Sequence, residues 1–209
     1  MNDISLSIFR FRNKNKDFTL ICRDCVGGIL YHQLGLRFLS PTINLFFTPV
    51  DFNTFCLNLK EYLSSELKEV VDKQESYPVG VLKPSETAQE IKVHFMHYES
   101  FKEAKQKWDE RTQRVNFDNI YVVSTFCYPV EIASLSDKLI EDWNNIKYPK
   151  VMLVDKRYGF DDEFVIKKPE KCQEYAWLLY EPSKVMKWKR TFNKFNFIKF
   201  LNQKSHIKE

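Results

Sequence analysis

At 209 residues, 44% hydrophobic and 15% aromatic with only five glycines and eight prolines, the chain excludes a disordered protein and can bury roughly 70% of its unfolded surface without staples. No stretch approaches the ~18 consecutive apolar residues of a membrane span, and the N-terminus lacks the apolar run of a signal peptide, so a cytoplasmic protein is expected. The net charge of +4 is uneven: residues 183–209 hold eight Lys or Arg against one Glu, leaving residues 1–182 at −3 and excluding the spread basic surface of a nucleic-acid binder.

In chain order, Phe18 to Arg23 is a β-prone apolar run that breaks at Asp24 into CVGGILYHQLGL, where Ile29, Leu30, Leu34 and Leu36 suit a helix. Ile43 to Phe47 predicts a second strand. Asp51 is placed to cap a helix over Phe52 to Leu67, with Phe55, Leu59, Tyr62 and Leu63 along one stripe. Short β-prone runs follow at Lys68 to Val71 and Val79 to Leu82, and the polar stretch 83–90 is a loop. A strand over Ile91 to His97, a helix from Ser100 to Val115 opened by a Ser100/Glu103 capping box, and a strand over Asn119 to Ser124 form a strand–helix–strand unit. The pattern closes with a helix from Glu131 to Asn144, strands over Lys150 to Asp155 and Glu163 to Ile166, and two tail helices, Pro182 to Phe192 and Asn196 to Gln203. Alternating strands and helices predict an α/β three-layer sandwich with a mainly parallel, Rossmann-like sheet. One domain is expected over 1–182, with its core in 18–155, and a basic helical extension over 183–209 packs on it.

Where the first strand hands over to the first helix, Gly27 and Gly28 let backbone N–H groups approach a diphosphate or carboxylate; equally, they serve a tight turn. Cys22 and Cys25 form a CxxC without the further Cys or His that zinc requires, so both read as unpaired thiols. Cys25, at a helix start, is also a candidate nucleophile. The five cysteines are scattered and odd in number, unlike a disulfide framework. His97, followed by Tyr98 and Glu99, lies where α/β crevices form and is a candidate general base, against the alternative of a hydrogen-bonded structural histidine. On the next helix Arg111 shares a face with Ala104, Trp108 and Val115, and Arg114 lies one turn away. A guanidinium on a buried face needs a phosphate, a carboxylate or an aromatic, so the pair serves either a sugar diphosphate or internal ion pairs to Asp109, Glu110 or Asp118. With no D-x-D triplet, no metal site is expected. In the tail, Trp188, Phe192 and Phe195 surrounded by Lys184, Lys187, Lys189, Arg190 and Lys194 give either a docking helix or a contact for anionic membrane.

The blocks CVGGILYHQLGLRFLSPTINLFFTPVDFNTFCLNLKEYL, YPVG and IKVHFMHYESFKEAKQKWDERTQRVNFDNIYVV together resemble the bacterial domain-of-unknown-function family nineteen-nineteen, over residues 20–125 above all. Members of that family are often labelled exopolysaccharide or capsular polysaccharide biosynthesis proteins. Ser40, Thr42, His97, Tyr98, Trp108, Arg111, Arg114, Asn116 and Asn119 match its pattern, whereas Asp24 and Val26 depart from it. The resemblance implies a glycosyltransferase-like enzyme that moves a sugar from a nucleotide-sugar donor, its substrate rather than a cofactor, to a glycan or lipid-linked acceptor at the inner membrane face. His97 or Glu99 would then take the acceptor proton. Arg111, Arg114, Cys25, Gly27, Gly28, Ser40, Thr42, Tyr98, Trp108, Asn116 and Asn119 would bind the substrates. From another class, a non-catalytic glycan- or partner-binding subunit of a polysaccharide assembly complex fits the same aromatics. Acyl or phosphoryl transfer in the same pathway is a third reading.

Overall fold

The computed structural model describes residues 4–170, 172, 177–180, 186 and 188–203. In chain order the elements are α1 (Ile4–Arg12), β1 (Thr19–Cys22), α2 (Val26–Leu34), α3 (Pro49–Leu57), α4 (Leu59–Ser64), β2 (Lys68–Val70), β3 (Val79–Leu82), β4 (Ile91–His94) and α5 (Phe101–Thr112). They continue with β5 (Ile120–Phe126), α6 (Pro129–Ile132), α7 (Asp137–Asn144), β6 (Lys150–Val154), β7 (Glu163–Val165) and α8 (Phe197–Leu201).

Two sheets carry the fold. A four-stranded parallel sheet runs in the order β1-β5-β6-β7, with Ile21 opposite Val122, Ser124 opposite Met152 and Leu153 opposite Phe164. Its strands are near-continuous apolar runs because both faces are covered. Alternation along each strand sends Ile21, Val122, Met152 and Val154 into a core with α3, α4, α5 and α7. Leu20, Cys22, Tyr121, Val123, Val151 and Leu153 point into a second core with α2 and the C-terminal residues. Residues Phe192, Phe197, Phe200 and Leu201 lie inside that second core, Phe200 meeting Tyr121 edge-on at 5.2 Å between ring centroids.

The second sheet is an antiparallel meander, β2-β3-β4, with Val70 opposite Val79 and Val79 opposite His94. This corrects the expected architecture, in which β4, α5 and β5 were one crossover unit of a parallel sheet: β4 and β5 belong to different sheets. The strand ends at His94 rather than His97, and Phe95 to Ser100 form a turn. Apolar content alone does not distinguish a hairpin partner from a crossover partner.

Other boundaries moved for local reasons. Ile43 to Phe47 is not a regular strand. Asn44 adopts a left-handed φ of 61°, and the segment runs along the outer edge of β1 through single bonds, Cys22 N–H to Thr42 Oγ1 at 2.9 Å and Phe47 N–H to the Arg23 carbonyl at 3.1 Å. Thr48, not Asp51, caps α3, its hydroxyl accepting from Asp51 N–H with Pro49 in the first turn. The long helix expected after it breaks at Asn58, which leaves the helical region at φ −125°. The helix expected over 131–144 divides into α6 and α7, with Ser136 capping the latter. Helix α5 starts at the expected Ser100 cap, whose hydroxyl accepts from Glu103 N–H. Much of the expected tail helix over 182–192 lies outside the described residues; within the part described, Trp188 to Arg190 are not helical, and Thr191 and Phe192 open a 3-10 turn, Thr191–Lys194. Gly35 ends α2 with φ 67°, a conformation a side chain would strain.

His94, 6% exposed, stacks on Phe46 with ring centroids 4.5 Å apart, and neither ring nitrogen has a hydrogen-bond partner. Burial holds its pKa below the usual 6.5, against the opposing pull of Glu75 and Asp51, with Lys92 and Asp72 also near. The unfolded chain therefore takes up a proton that the folded chain resists. His94 costs nothing above about pH 6.5, and stability is lost as pH falls below it. Replacing His94 by Phe, which keeps the stacking, is expected to flatten this acid-side loss of the urea midpoint; an equal loss in both chains would show that other groups cause it.

Candidate functional site

Strands β1, β5 and β6 deliver their C-terminal ends to one edge of the parallel sheet, where α/β proteins place ligands. A continuous polar network lies there. Arg23, just past β1 and 4% exposed, forms a buried ion pair with Glu131 of α6 and donates to Thr125 Oγ1 of β5 and to the Phe47 carbonyl. Glu131 Oε2 also accepts from the N–H groups of Cys127 and Tyr128, at 2.9 and 3.0 Å. Thr125 in turn donates to Asp24 Oδ2 at 2.7 Å. Burial pushes the Glu131 pKa up against the pull of Arg23, while Glu131 and Asp24 hold Arg23 charged despite its burial.

Asp24 closes the network on α2, its Oδ1 accepting from Val26 N–H at 3.0 Å. The positive end of α2, where an anion would sit, thus already faces a carboxylate of the chain itself. Gly27 and Gly28 are buried in the first turn of that helix. A Cβ at Gly27 would stand 2.6 Å from Cys22 Cβ, so close packing of α2 on β1 requires the glycine.

Cys25 precedes α2, and its Sγ lies 3.2 Å from His97 Nε2, a contact between residues 72 positions apart. The thiol is half-buried and the imidazole is exposed, standing in the turn after β4. Burial, with Asp24 adding to it, raises the Cys25 pKa to about 12. The resting form is therefore a thiol, which donates to Nε2 or accepts from Nε2–H according to the imidazole tautomer. Cys22, Cys56, Cys127 and Cys172 are buried. Glu99 is exposed in the same turn.

Arg111 does not face the solvent. Its Nη1 donates to Tyr98 Oη at 2.7 Å, its guanidinium carbon stands 5.2 Å from the Phe38 ring centroid, and Tyr98 donates to the Ile43 carbonyl. Arg111 thereby fixes Tyr98, the neighbour of His97 in the chain. Its only charged relative in the sequence pattern, Arg114, is within 3.6 Å of Glu110. Trp108 is buried against Phe55 and Phe95. Ser40 and Thr42 are fully buried and 3.0 Å apart, supporting the edge of β1. Asn116 and Asn119 bind Asp17 and Asn15 where β1 and β5 begin, at the opposite edge of the sheet from Cys25. Among the candidate residues, Cys25 and His97 meet directly, and Gly27, Gly28 and Tyr98 are their near neighbours in the chain. Arg23, Asp24, Thr125 and Glu131 join them without having been singled out as site residues. An arginine ending an apolar strand was the available signal for a buried partner, but no spacing rule points to Glu131. Among the described residues, no group of three or more His, Cys, Asp or Glu is placed to hold a metal ion.

These features define a mixed α/β protein with a polar, acid-rich cluster and a Cys–His pair at the C-terminal edge of its parallel sheet. The chain belongs to the family described as Domain of unknown function (DUF1919), whose pattern matches residues 3–202. It is also similar to an uncharacterized protein of Haemophilus influenzae, 32% identical over 192 residues that cover 90% of this chain and 85% of the relative. Among the described residues no helix is long and apolar enough to cross a membrane.

Proposed function

We propose that the chain is a glycosyltransferase-like enzyme of surface-polysaccharide assembly, with His97 as the proton acceptor for an incoming hydroxyl. The observation that carries this reading is the 3.2 Å contact between an exposed imidazole nitrogen and the Cys25 thiol, at the sheet edge where substrates of α/β folds bind. The donor class, a nucleotide sugar, and the glycan or lipid-linked acceptor come from the family resemblance. The acid-rich surroundings suit hydroxyl groups: the Asp24 carboxylate, half-buried beside Cys25, can accept from a sugar. Arg111 acts here as a positioning residue, holding Tyr98 and so the turn that presents His97. The parallel sheet covered on both faces supports a Rossmann-like description of this half of the molecule.

The same contact favours a second reading, in which His97 takes the proton of Cys25, the sulfur bonds to the acyl or phosphoryl group of a donor, and the donor's leaving group departs with the proton returned by His97. Thermal-shift screening separates ligand classes. A nucleotide sugar at a hundred times its Kd stabilises by about 2.7 kcal/mol, roughly 5–10 °C in the midpoint for a chain of this size. A panel of UDP, GDP and CMP sugars that leaves the midpoint unmoved would remove the nucleotide-sugar reading and leave the thiol reading standing.

A further inference from the structure

Helix α1 was not anticipated in the sequence, yet residues 4, 8 and 11 have the spacing of one helical face. Its inner side is held in place: Arg10 Nε donates to the Gln33 carbonyl at 2.9 Å, Trp188 Nε1 donates to Ser5 Oγ at 2.9 Å, and Phe9 packs on Trp188 with centroids 5.0 Å apart. The outer side is apolar and bare. Ile4, Ile8 and Phe11 are 77%, 53% and 76% exposed, and no residue of the helix is fully buried. Three large apolar side chains aligned on a docked helix form a patch of the kind that marks an interaction surface.

The rim of the patch is cationic. Arg12, Lys14 and Lys16 follow the stripe, and no Asp or Glu occurs from Ile4 to Lys16. Lys14 Nζ lies 4.1 Å from the centroid of the Phe11 ring. Phe11, Arg12 and Lys14 also line a shallow hollow with Ile198, Lys199 and Asn202, so the C-terminal helix adds another cation to the same surface. Asn202 ties the two ends together, donating to the Arg12 carbonyl and accepting from Lys14 N–H at 2.8 Å.

We infer that this face is a binding surface for anionic lipid, with Ile4, Ile8 and Phe11 entering the headgroup boundary and Arg12, Lys14, Lys16 and Lys199 pairing with phosphate-bearing lipids. Charge decides between occupants. A second copy of the chain would bring like charges together around the stripe, whereas an anionic bilayer neutralises them and takes up the apolar groups at once. The inference is independent of the reaction proposed for His97, and it places the contact on the N-terminal helix rather than on the C-terminal lysines alone.

The test is vesicle flotation of the full chain with phosphatidylcholine alone and with phosphatidylcholine mixed with phosphatidylglycerol. The chain is expected to float with the mixed vesicles, to stay behind with the neutral ones, and to release as salt is raised. Neutralising Arg12, Lys14 and Lys199 together to Gln should weaken binding on the order of a hundredfold, about fivefold per cation. The exposed pair Ile8→Ser and Phe11→Ser should weaken it while leaving the unfolding midpoint in place, because neither side chain is in a core. Equal binding to both vesicle types, no binding, or variants that float like the parent would overturn the inference. So would a concentration-dependent dimer abolished by the Ile8 and Phe11 substitutions, which would assign the face to a second copy.

Discussion

Replacing Glu131 by Ala is expected to lower the unfolding free energy by about 3 kcal/mol, because it leaves the buried Arg23 guanidinium with only the more distant Asp24 carboxylate, 3.6 Å away, as counter-charge. The loss compounds, since Glu131 also accepts from two backbone N–H groups that would be left without that partner. A domain has only about 5–15 kcal/mol to lose, so urea unfolding should show a large drop in midpoint at an unchanged slope. Changing both partners at once, Arg23→Met with Glu131→Met, should recover much of the loss, since no lone charge remains buried. A single-variant loss under about 1 kcal/mol would mean that solvent reaches Arg23 and that the network does not shape the sheet edge.

With His97 as the proposed proton acceptor, His97→Gln is expected to reduce turnover of the proposed transfer about a hundredfold to ten-thousandfold, the range for removing a general base, while leaving the thermal midpoint unchanged because the ring is exposed. Glutamine preserves size and hydrogen bonding but cannot accept a proton at neutral pH. Cys25→Ser then distinguishes the two chemistries. If the thiol only orients the imidazole, the serine chain keeps most of its activity; if sulfur is the nucleophile, it falls as far as His97→Gln. Full activity in His97→Gln would exclude the imidazole from the reaction.

Much of the scaffold was legible because burial on both faces writes itself into the sequence. The runs at 18–23, 119–124 and 150–155 are almost uninterruptedly apolar, and they became β1, β5 and β6 of the parallel sheet. Helix α5 was legible from its cap and its stripe. Partnership was not. The IKVH run has the composition of any half-buried strand, and its pairing with Val79–Leu82 is set by tertiary packing. The segment 43–47 alternates as a strand does, but the left-handed Asn44 and the side-chain bond from Thr42 replace a ladder.

The site was legible in pieces. Cys25 and His97 were each singled out on their own, one for its place before a helix and one for its place after a strand, but their meeting requires the fold. Arg111 looked like a ligand donor because a cation on an apolar helix face needs a partner, and the partner turned out to be a phenol, a carbonyl and an aromatic face inside the chain. Asn116 and Asn119 share a motif with Arg111 yet end at the start of the strands, binding Asp17 and Asn15.

The location of the proposed site is tested most directly by footprinting Cys25, the half-exposed cysteine among four buried ones. The rate at which iodoacetamide labels the Cys25 peptide would be followed by mass spectrometry with and without the ligand that raises the thermal midpoint. The ligand is predicted to slow labelling of Cys25 in proportion to its occupancy. A ligand that stabilises the chain yet leaves the Cys25 rate unchanged would place binding elsewhere and contradict the account.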